Sequence, residues 1–387
     1  MAWLGKGLFS GNGTIWPAGK LLPMKQEVPE VGRKGRYCLW SKERTAFSKS
    51  NDLFLLHLVR SPLRGVVWVV KRGLRLLVGA FLVFALALPV AAAKYRIGIV
   101  QLVEHPALDA SREGFLAELR DTGFIEDVEI LYQNAQNDAT LLGPIINNFI
   151  NQRVDLIQAI TTPAAQTAAS LSRDIPIVFS AVRDPLAAQL IESFERPGRN
   201  ITGSSHYQPA REQAALILEV VPNAKRVGIV YNAGEVNSVA QVLDVREWAK
   251  EAGITLVERT VSSSVEVQQA TESLVGQVDV IFVPTDNTVV AGLEGMILAA
   301  NRARIPIVAA DVDTVARGAV AAYGADFFKL GRMTAQLAIA ILRDGVDAGT
   351  IPVAMEEERD LAINLSAARA VGLELPQSVI DRATLRY

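Results

Sequence analysis

The chain has 387 residues, 50% of them apolar and 21% charged, enough for two domains with cores of their own. Its net charge of -2 hides an asymmetry: residues 1–93 carry 14 Lys and Arg against 4 Asp and Glu, leaving 25 basic and 37 acidic residues, a net of -12, for 94–387. An acidic globular part without a basic stripe excludes nucleic acid as a partner. The single cysteine, Cys38, lies outside that part, which excludes a disulfide or a thiol nucleophile there. The two histidines of the globular part, His105 and His206, belong to no HExxH or similar grouping, so neither a metal site nor a cofactor is expected.

In chain order, Lys71-Arg72-Gly73-Leu74-Arg75 is a basic run, residues 76–88 are apolar throughout, Pro89 breaks the run, and Ala91-Ala92-Ala93 follows. This is the order of a secretory leader, read over 70–93 with cleavage after Ala93 and export to the periplasm. The alternative is an uncleaved membrane anchor, because the apolar stretch of about 18 residues is near the lower limit for a span. Residues 1–69 lack sustained periodicity and are read as an extension outside the fold, either disordered or not translated at all. On the second reading translation begins near Val69 or Val70.

From Lys94 onward, short β-branched runs alternate with amphipathic helical stretches. Residues 97–102 form a continuous apolar run that suits a buried parallel strand. Asp109 reads as the N-cap of a helix whose face includes Phe115, Leu116 and Leu119, and Gly123 as its stop. Residues 128–132, 156–160 and 177–179 read as further strands. A second set follows at 227–231, 255–260, 280–283 and 307–309. Strands separated by helices of this length imply βαβ units and parallel sheets.

The two sets echo each other. Arg96-Ile97-Gly98-Ile99-Val100 returns 130 residues later as Arg226-Val227-Gly228-Ile229-Val230; Val154-Asp155-Leu156-Ile157 returns after 124 as Val278-Asp279-Val280-Ile281; and Ile175-Pro176-Ile177-Val178 returns after 130 as Ile305-Pro306-Ile307-Val308. A period this long is that of a whole domain. The expected fold is α/β, with two similar doubly wound parallel-sheet lobes joined by a multi-crossing hinge: residues 94–203 plus 326–345 form the first lobe and 204–325 the second. The segment 346–387 adds closing helices and a third crossing at 361–364. Several crossings make closure a rigid-body rotation.

Ligands of open α/β sheets bind beyond the strand C-termini. Those loops carry His105 and Pro106 after the first strand; Thr162, Pro163 and Ala164 after the third; and Asp184 after the fourth. In the second set they carry Asn232 and Asn237, then Asp286 and Asn287, then Asp311. Thr162 before Pro163 reads as an N-cap, with the N–H groups of Ala164 and Ala165 open to a carboxylate at the helix N-terminus. At the matching place of the second lobe, Asp286 and Asn287 suit an ammonium. N–H donors on one lobe and carboxylates on the other suit an α-amino acid. Helix capping is the simpler role for Thr162, Asp286, Asn287 and Asn237, which would cap a helix starting at Ser238, and turn formation for Asp184 and Asp311. No GxSxG, phosphate loop or nucleophile with a partnered base occurs, so no catalytic residue is assigned and no enzyme is expected.

The chain closely resembles the ABC-transporter substrate-binding proteins that include the tryptophan/tyrosine-type solute receptors, over essentially everything from Lys94 to Arg382. The residues that carry the resemblance are the strand at 97–101, Glu104-His105-Pro106-Ala107-Leu108-Asp109, Thr162-Pro163-Ala164-Ala165-Gln166, Ile175-Pro176-Ile177-Val178-Phe179, Asp184-Pro185, Tyr231-Asn232 with Asn237-Ser238, and Val283-Pro284-Thr285-Asp286-Asn287-Thr288. The resemblance implies a type I periplasmic-binding fold that closes on a small solute, here an amino acid, with aromatic ones taken by some relatives, and delivers it as a monomer to a membrane permease. Arg183 before Asp-Pro, and Val312-Asp313, depart from the family's pattern at two predicted cleft edges. The alternative reading is a ligand-sensing receptor domain of the same fold. A repressor would need a helix-turn-helix where the leader stands, and a sensor a membrane helix after Tyr323.

Overall fold

In the computed structural model of the chain, the described residues are 93–387. The extension at 1–69 and the leader at 70–93, save Ala93, lie outside them. Strands β1 (Tyr95–Gln101), β2 (Val128–Asn134), β3 (Leu156–Ile160), β4 (Ile177–Val182) and β5 (Ile201–Ser205) build the first lobe. Strands β6 (Arg226–Tyr231), β7 (Thr255–Thr260), β8 (Val280–Val283), β9 (Ile307–Ala309) and β10 (Ala321–Gly324) build the second. The chain then returns twice: β11 (Ala354–Met355) joins the first sheet, and β12 (Asp360–Ile363) with β13 (Leu385–Arg386) joins the second. The strand orders are β2-β1-β3-β4-β5-β11 and β7-β6-β8-β9-β10-β12-β13. Their common 2-1-3-4-5 pattern is a doubly wound order that places a ligand crevice at the strand C-termini. All pairings of the first sheet are parallel; in the second, β10 and β12 run antiparallel. Strand β3 is buried at every residue, as both-face coverage by helices requires.

The sequence echo has a physical basis. The Asp155 carboxylate accepts the Arg96 backbone N–H at 2.7 Å, while the Asp155 N–H donates to the Arg96 carbonyl at 2.8 Å. In the second lobe, Asp279 repeats both bonds with Arg226, at 2.9 and 2.8 Å. The carbonyls of Pro176 and Pro306 each accept from the strand beside them, through Ile157 and Ile281, at 3.0 and 2.9 Å. Gly98 and Gly228 lie where a Cβ would fall 2.6 Å from the Phe149 ring and 2.9 Å from a Leu274 methyl. Each repeated motif is thus a repeated strand-start device.

Three passages join the lobes, over residues 206–209, 325–326 and 356–359. They are tied to one another. The Asp326 N–H donates to the Glu356 carboxylate at 3.0 Å, and the Arg359 guanidinium donates to the Tyr207 carbonyl at 3.1 Å and to the Glu356 carbonyl. The third passage precedes residues 361–364, most of which form β12, and Ser204 and Ser205 stay in the first sheet within β5. The helix Phe327–Asp344 also returns to the first lobe, where it packs on the helix Pro106–Asp121. That first helix begins three residues before Asp109, because proline is pre-organised for the first helical position. Asp109 instead accepts from Gln101 and Arg112. Gly123 takes φ 71° just past the helix end, the left-handed stop that glycine allows. Among the described residues no helix is long and apolar enough to cross a membrane.

Candidate functional site

A narrow cavity lies between the lobes, with about 20 Å³ of free space, room for about one water molecule. The first lobe lines it with His105 and Leu108 after β1, Ala181 and Arg183 at the end of β4, and Phe327 at the start of the returning helix. His206 comes from the first passage. The second lobe contributes Asn237 after β6, Thr285, Asp286, Asn287 and Val290 after β8, and Asp311 after β9. Both lobes therefore meet the same space at their strand C-termini.

On the first lobe, strand β4 is irregular. Its register against β5 shifts between Phe179 and Val182, and Ala181 takes φ 54°. Such a bulge re-aims side chains, and the next odd residue, Arg183, is turned inward and 2% exposed. One of its terminal nitrogens donates to the Gln208 carbonyl at 2.7 Å and to Asp244 at 3.4 Å, and the group lies 5.5 Å over the Tyr207 ring. Its other two nitrogens make no hydrogen bond among the described residues. Burial lowers its pKa, with Asp244 opposing, yet a guanidinium keeps its charge. His105 and His206 are buried, and among the described residues no ring nitrogen of either meets hydrogen-bond geometry with a partner, although Asn287 lies beside His105. Burial, reinforced by Arg317 for His105 and by Arg183 for His206, brings each down to about 3. Both rings are neutral at pH 7, each with one donor and one acceptor to offer. His206 packs 5.1 Å from Phe327, which gives the cavity an aromatic wall.

On the second lobe, Asp286 is the N-cap of the short helix Asn287–Ala291. One oxygen accepts the Val289 N–H at 2.8 Å; the other accepts the Asn232 N–H and the Ser238 hydroxyl, each at 2.6 Å. Burial, then the adjacent Glu235, pushes it up to about 7. Glu235 is itself buried and accepts from Asn237, from the backbone and side chain of Asn287, and from the backbone and hydroxyl of Thr288. Asp311 accepts the Asp313 N–H through one oxygen at 2.9 Å; its other oxygen has no partner among the described residues. Burial and Asp313 push Asp311 up to about 7, and burial with Asp326 pushes Asp313 up to about 6. Among the described residues no group of three or more His, Cys, Asp or Glu side chains could hold a metal ion.

Of the residues expected at the site, His105, Asn237, Asp286, Asn287 and Asp311 meet at this cavity. Pro106 is exposed and sits one residue outside. The cap of the helix Thr162–Leu171 is Thr161 rather than Thr162, with the outlying φ of 99°. Its hydroxyl accepts the Ala164 N–H at 3.5 Å and its carbonyl the Ala165 N–H at 3.0 Å. Those donors are therefore not open to a carboxylate, and Thr162, Pro163 and Ala164 do not line the cavity. Asp184 closes its own turn onto Leu186 and Ala187. Asn232 spends its side chain on Thr288 and Gly234. Asn237 lies inside the first turn of the helix Val236–Glu251 rather than capping it. Arg183, His206 and Phe327 are the important omissions. Only Arg183 carried a signal, as a departure from the family's pattern before Asp-Pro.

The two-lobed fold has counterparts among known proteins. A family model described as ABC transporter substrate binding protein matches residues 96–386. A protein named tyrosine-binding protein from Clostridioides difficile is 41% identical over 280 residues, covering 72% of this chain and 81% of that one. A domain from Streptococcus pneumonia solved in complex with L-Trp is 30% identical and superposes with a TM-score of 0.73, covering 76% of this chain and all of the other. A ligand-free, open structure of a substrate-binding protein from Clostridium difficile is more similar in sequence, at 40%, yet reaches only 0.58 while covering 76% of this chain and 99% of that one. The chain therefore superposes better on the L-Trp complex than on the ligand-free, open structure, although its sequence is closer to the latter. Match length and fold agree: the chain belongs to the ABC transporter substrate-binding protein family.

Proposed function

We propose that the protein is the solute receptor of an ABC importer and closes on a zwitterionic α-amino acid with a large aromatic side chain. The observation that carries this reading is the division of charge across the cavity: Arg183, the only cation lining it among the described residues, belongs to one lobe, and Asp286 and Asp311 belong to the other. A ligand that carries a carboxylate and an ammonium bridges the two and stabilises the closed form. The His206–Phe327 wall suits a ring, and the unpartnered nitrogens of His105 and His206 suit a polar group on it. The relatives named for tyrosine and crystallised with L-Trp support the same class. The carboxylate partner is Arg183 and not the N-terminus at Ala164.

The protein binds without catalysis. Its two cavity histidines have no nucleophile paired with them, which nucleophilic and acid–base schemes require. It acts as a monomer in the periplasm, exported by the leader at 70–93, and its closed face docks a membrane permease. A thermal-shift screen against the amino acids, followed by calorimetry, tests the reading, since a ligand of the native state raises the melting temperature. Tyrosine or tryptophan should bind, and Arg183→Met should weaken either by about 2–3 kcal/mol, the scale of hydrogen bonds to a charged group. L-Tyrosinamide, which lacks the carboxylate, should bind wild type and variant alike. Equal tyrosine affinity in Arg183→Met would remove Arg183 from the role, and silence toward every amino acid would discard the ligand class.

A further inference from the structure

We propose that the ligand's ammonium is received directly by the side-chain oxygen of Asn237, aimed into the cavity by Glu235, with Asp311 as the charged second acceptor, and that Asp286 is a structural cap. This rests on the amino-acid reading above and assigns atoms within it.

Asn237 is 6% exposed. Its Nδ2 donates to the Thr285 carbonyl at 2.8 Å and to the Glu235 carboxylate at 3.3 Å. Both partners are acceptors, so turning the amide over would set its oxygen against two other oxygens; the hydrogen-bond chemistry fixes the orientation. The oxygen that remains, Oδ1, is buried, has no partner and belongs to a cavity-lining residue. A buried amide oxygen is stable only when something donates to it. Among the described residues no N–H does so, and an ammonium brings three donors. Glu235 does not line the cavity. It acts through Asn237 and Asn287, whose Nδ2 donates to the same carboxylate oxygen at 2.5 Å, and its charge polarises the amides it holds. Glu235 is a positioning residue.

Asp311 is 4% exposed and keeps one carboxylate oxygen unpartnered at the cavity. Asp286 differs. Both its oxygens are taken by Asn232, Ser238 and Val289, which close the β6 and β8 loops onto each other. An ammonium there would compete with three bonds already made.

The test is calorimetry on the purified protein with L-tyrosine and its deaminated counterpart, 3-(4-hydroxyphenyl)propionate, repeated with L-tryptophan and indole-3-propionate. In wild type, removing the ammonium should weaken binding at least tenfold. Asn237→Ala should weaken the amino acids about 10–100-fold and leave the deaminated probes unchanged, and Asn237→Ser provides the same readout should the alanine variant fold poorly. Asp286→Asn should lower the melting temperature and preserve the wild-type ratio between amino acid and deaminated probe. Glu235→Gln should reduce that ratio without contacting the ligand. The proposal is overturned if Asn237 variants weaken both probes equally, or if Asp286→Asn abolishes the ratio. Wild type that binds neither amino acid overturns this assignment together with the reading beneath it, whereas binding with the ratio carried by Asp286 overturns the assignment alone.

Discussion

Asp311 shows how a single residue can make the site depend on pH. Burial and the neighbouring Asp313 push it up to about 7, and Asp313 itself is raised to about 6 by burial and Asp326; Arg317 opposes both. The cavity histidines stay neutral down to about 3 and so add no charge between pH 5 and 8. Bringing an ammonium against Asp311 favours its ionised form, so at a pH below about 7 binding must expel a proton. Affinity for an amino acid should therefore weaken as pH falls from 7 to 5, by up to about tenfold per unit if one proton is released. Calorimetry in buffers of different ionisation heat reads the released proton, and Asp311→Asn should flatten the profile. A profile that stays level in wild type would remove Asp311 from the ligand. The sign for folding is the reverse. With the native carboxyl raised above its unfolded value near 4, the native chain holds the extra proton between about 4 and 7, and Asp311 contributes less stability as pH rises through that window. Asp311 was legible in the sequence as a strand-end carboxylate. Arg183 was legible only as a cleft-edge residue that either reaches a carboxylate or points to solvent, because its direction is set by the bulge and the positive φ at Ala181, and neither has a residue-type signature.

At the scale of elements, the buried parallel strands were legible because they are continuous apolar runs, and the two lobes because their strand starts repeat a hydrogen-bond device that needs the same residues. Caps were legible only to within a residue or a turn. Thr161 rather than Thr162 caps its helix, and Pro106 rather than Asp109 sets the start of the first one. The third passage was misplaced because β11 is two residues long, too short for any alternation to register. The close packing of the helix Phe327–Asp344 on the helix Pro106–Asp121 rests on glycine. A Cβ on Gly331 would fall 2.0 Å from the Ser111 carbonyl oxygen, and one on Gly114 would fall 2.0 Å from that of Phe328. The obstacle at each is backbone, which cannot rotate aside, so each helix presents a glycine where the other's backbone comes close. Gly331→Ala should separate them and destabilise the fold by about 1–3 kcal/mol, the usual cost of overpacking. Thermal denaturation measures this, and an unchanged midpoint would mean that the contact yields more easily than its geometry allows. Phe327 rides on the same helix, so the variant should also loosen the aromatic wall.

The whole molecule must open to do its work. His105, Arg183, His206, Asn237, Asp286 and Asp311 are each at most 8% exposed, and a zwitterion has no way past them while the lobes stand as they do here. The three passages are cross-tied by Glu356 and Arg359, so they bend together and the lobes turn as rigid bodies. The opposed charges then give closure its switch. With Arg183 on one lobe and the carboxylates of Glu235, Asp286 and Asp311 on the other, a ligand carrying both charges gains contacts only when the lobes meet, and differential affinity is what shifts a population. Saturating L-tyrosine should reduce the radius of gyration measured by small-angle scattering. At about 100 times Kd it should also add about 2.7 kcal/mol of stability, roughly 5–10 °C in melting temperature for lobes of this size. The deaminated acid reaches Arg183 but offers nothing to the second lobe, so it should bind with less compaction at equal saturation. Equal compaction by both ligands would mean that closure is driven by ring burial alone, and that the charge division across the cavity selects the ligand without closing the lobes.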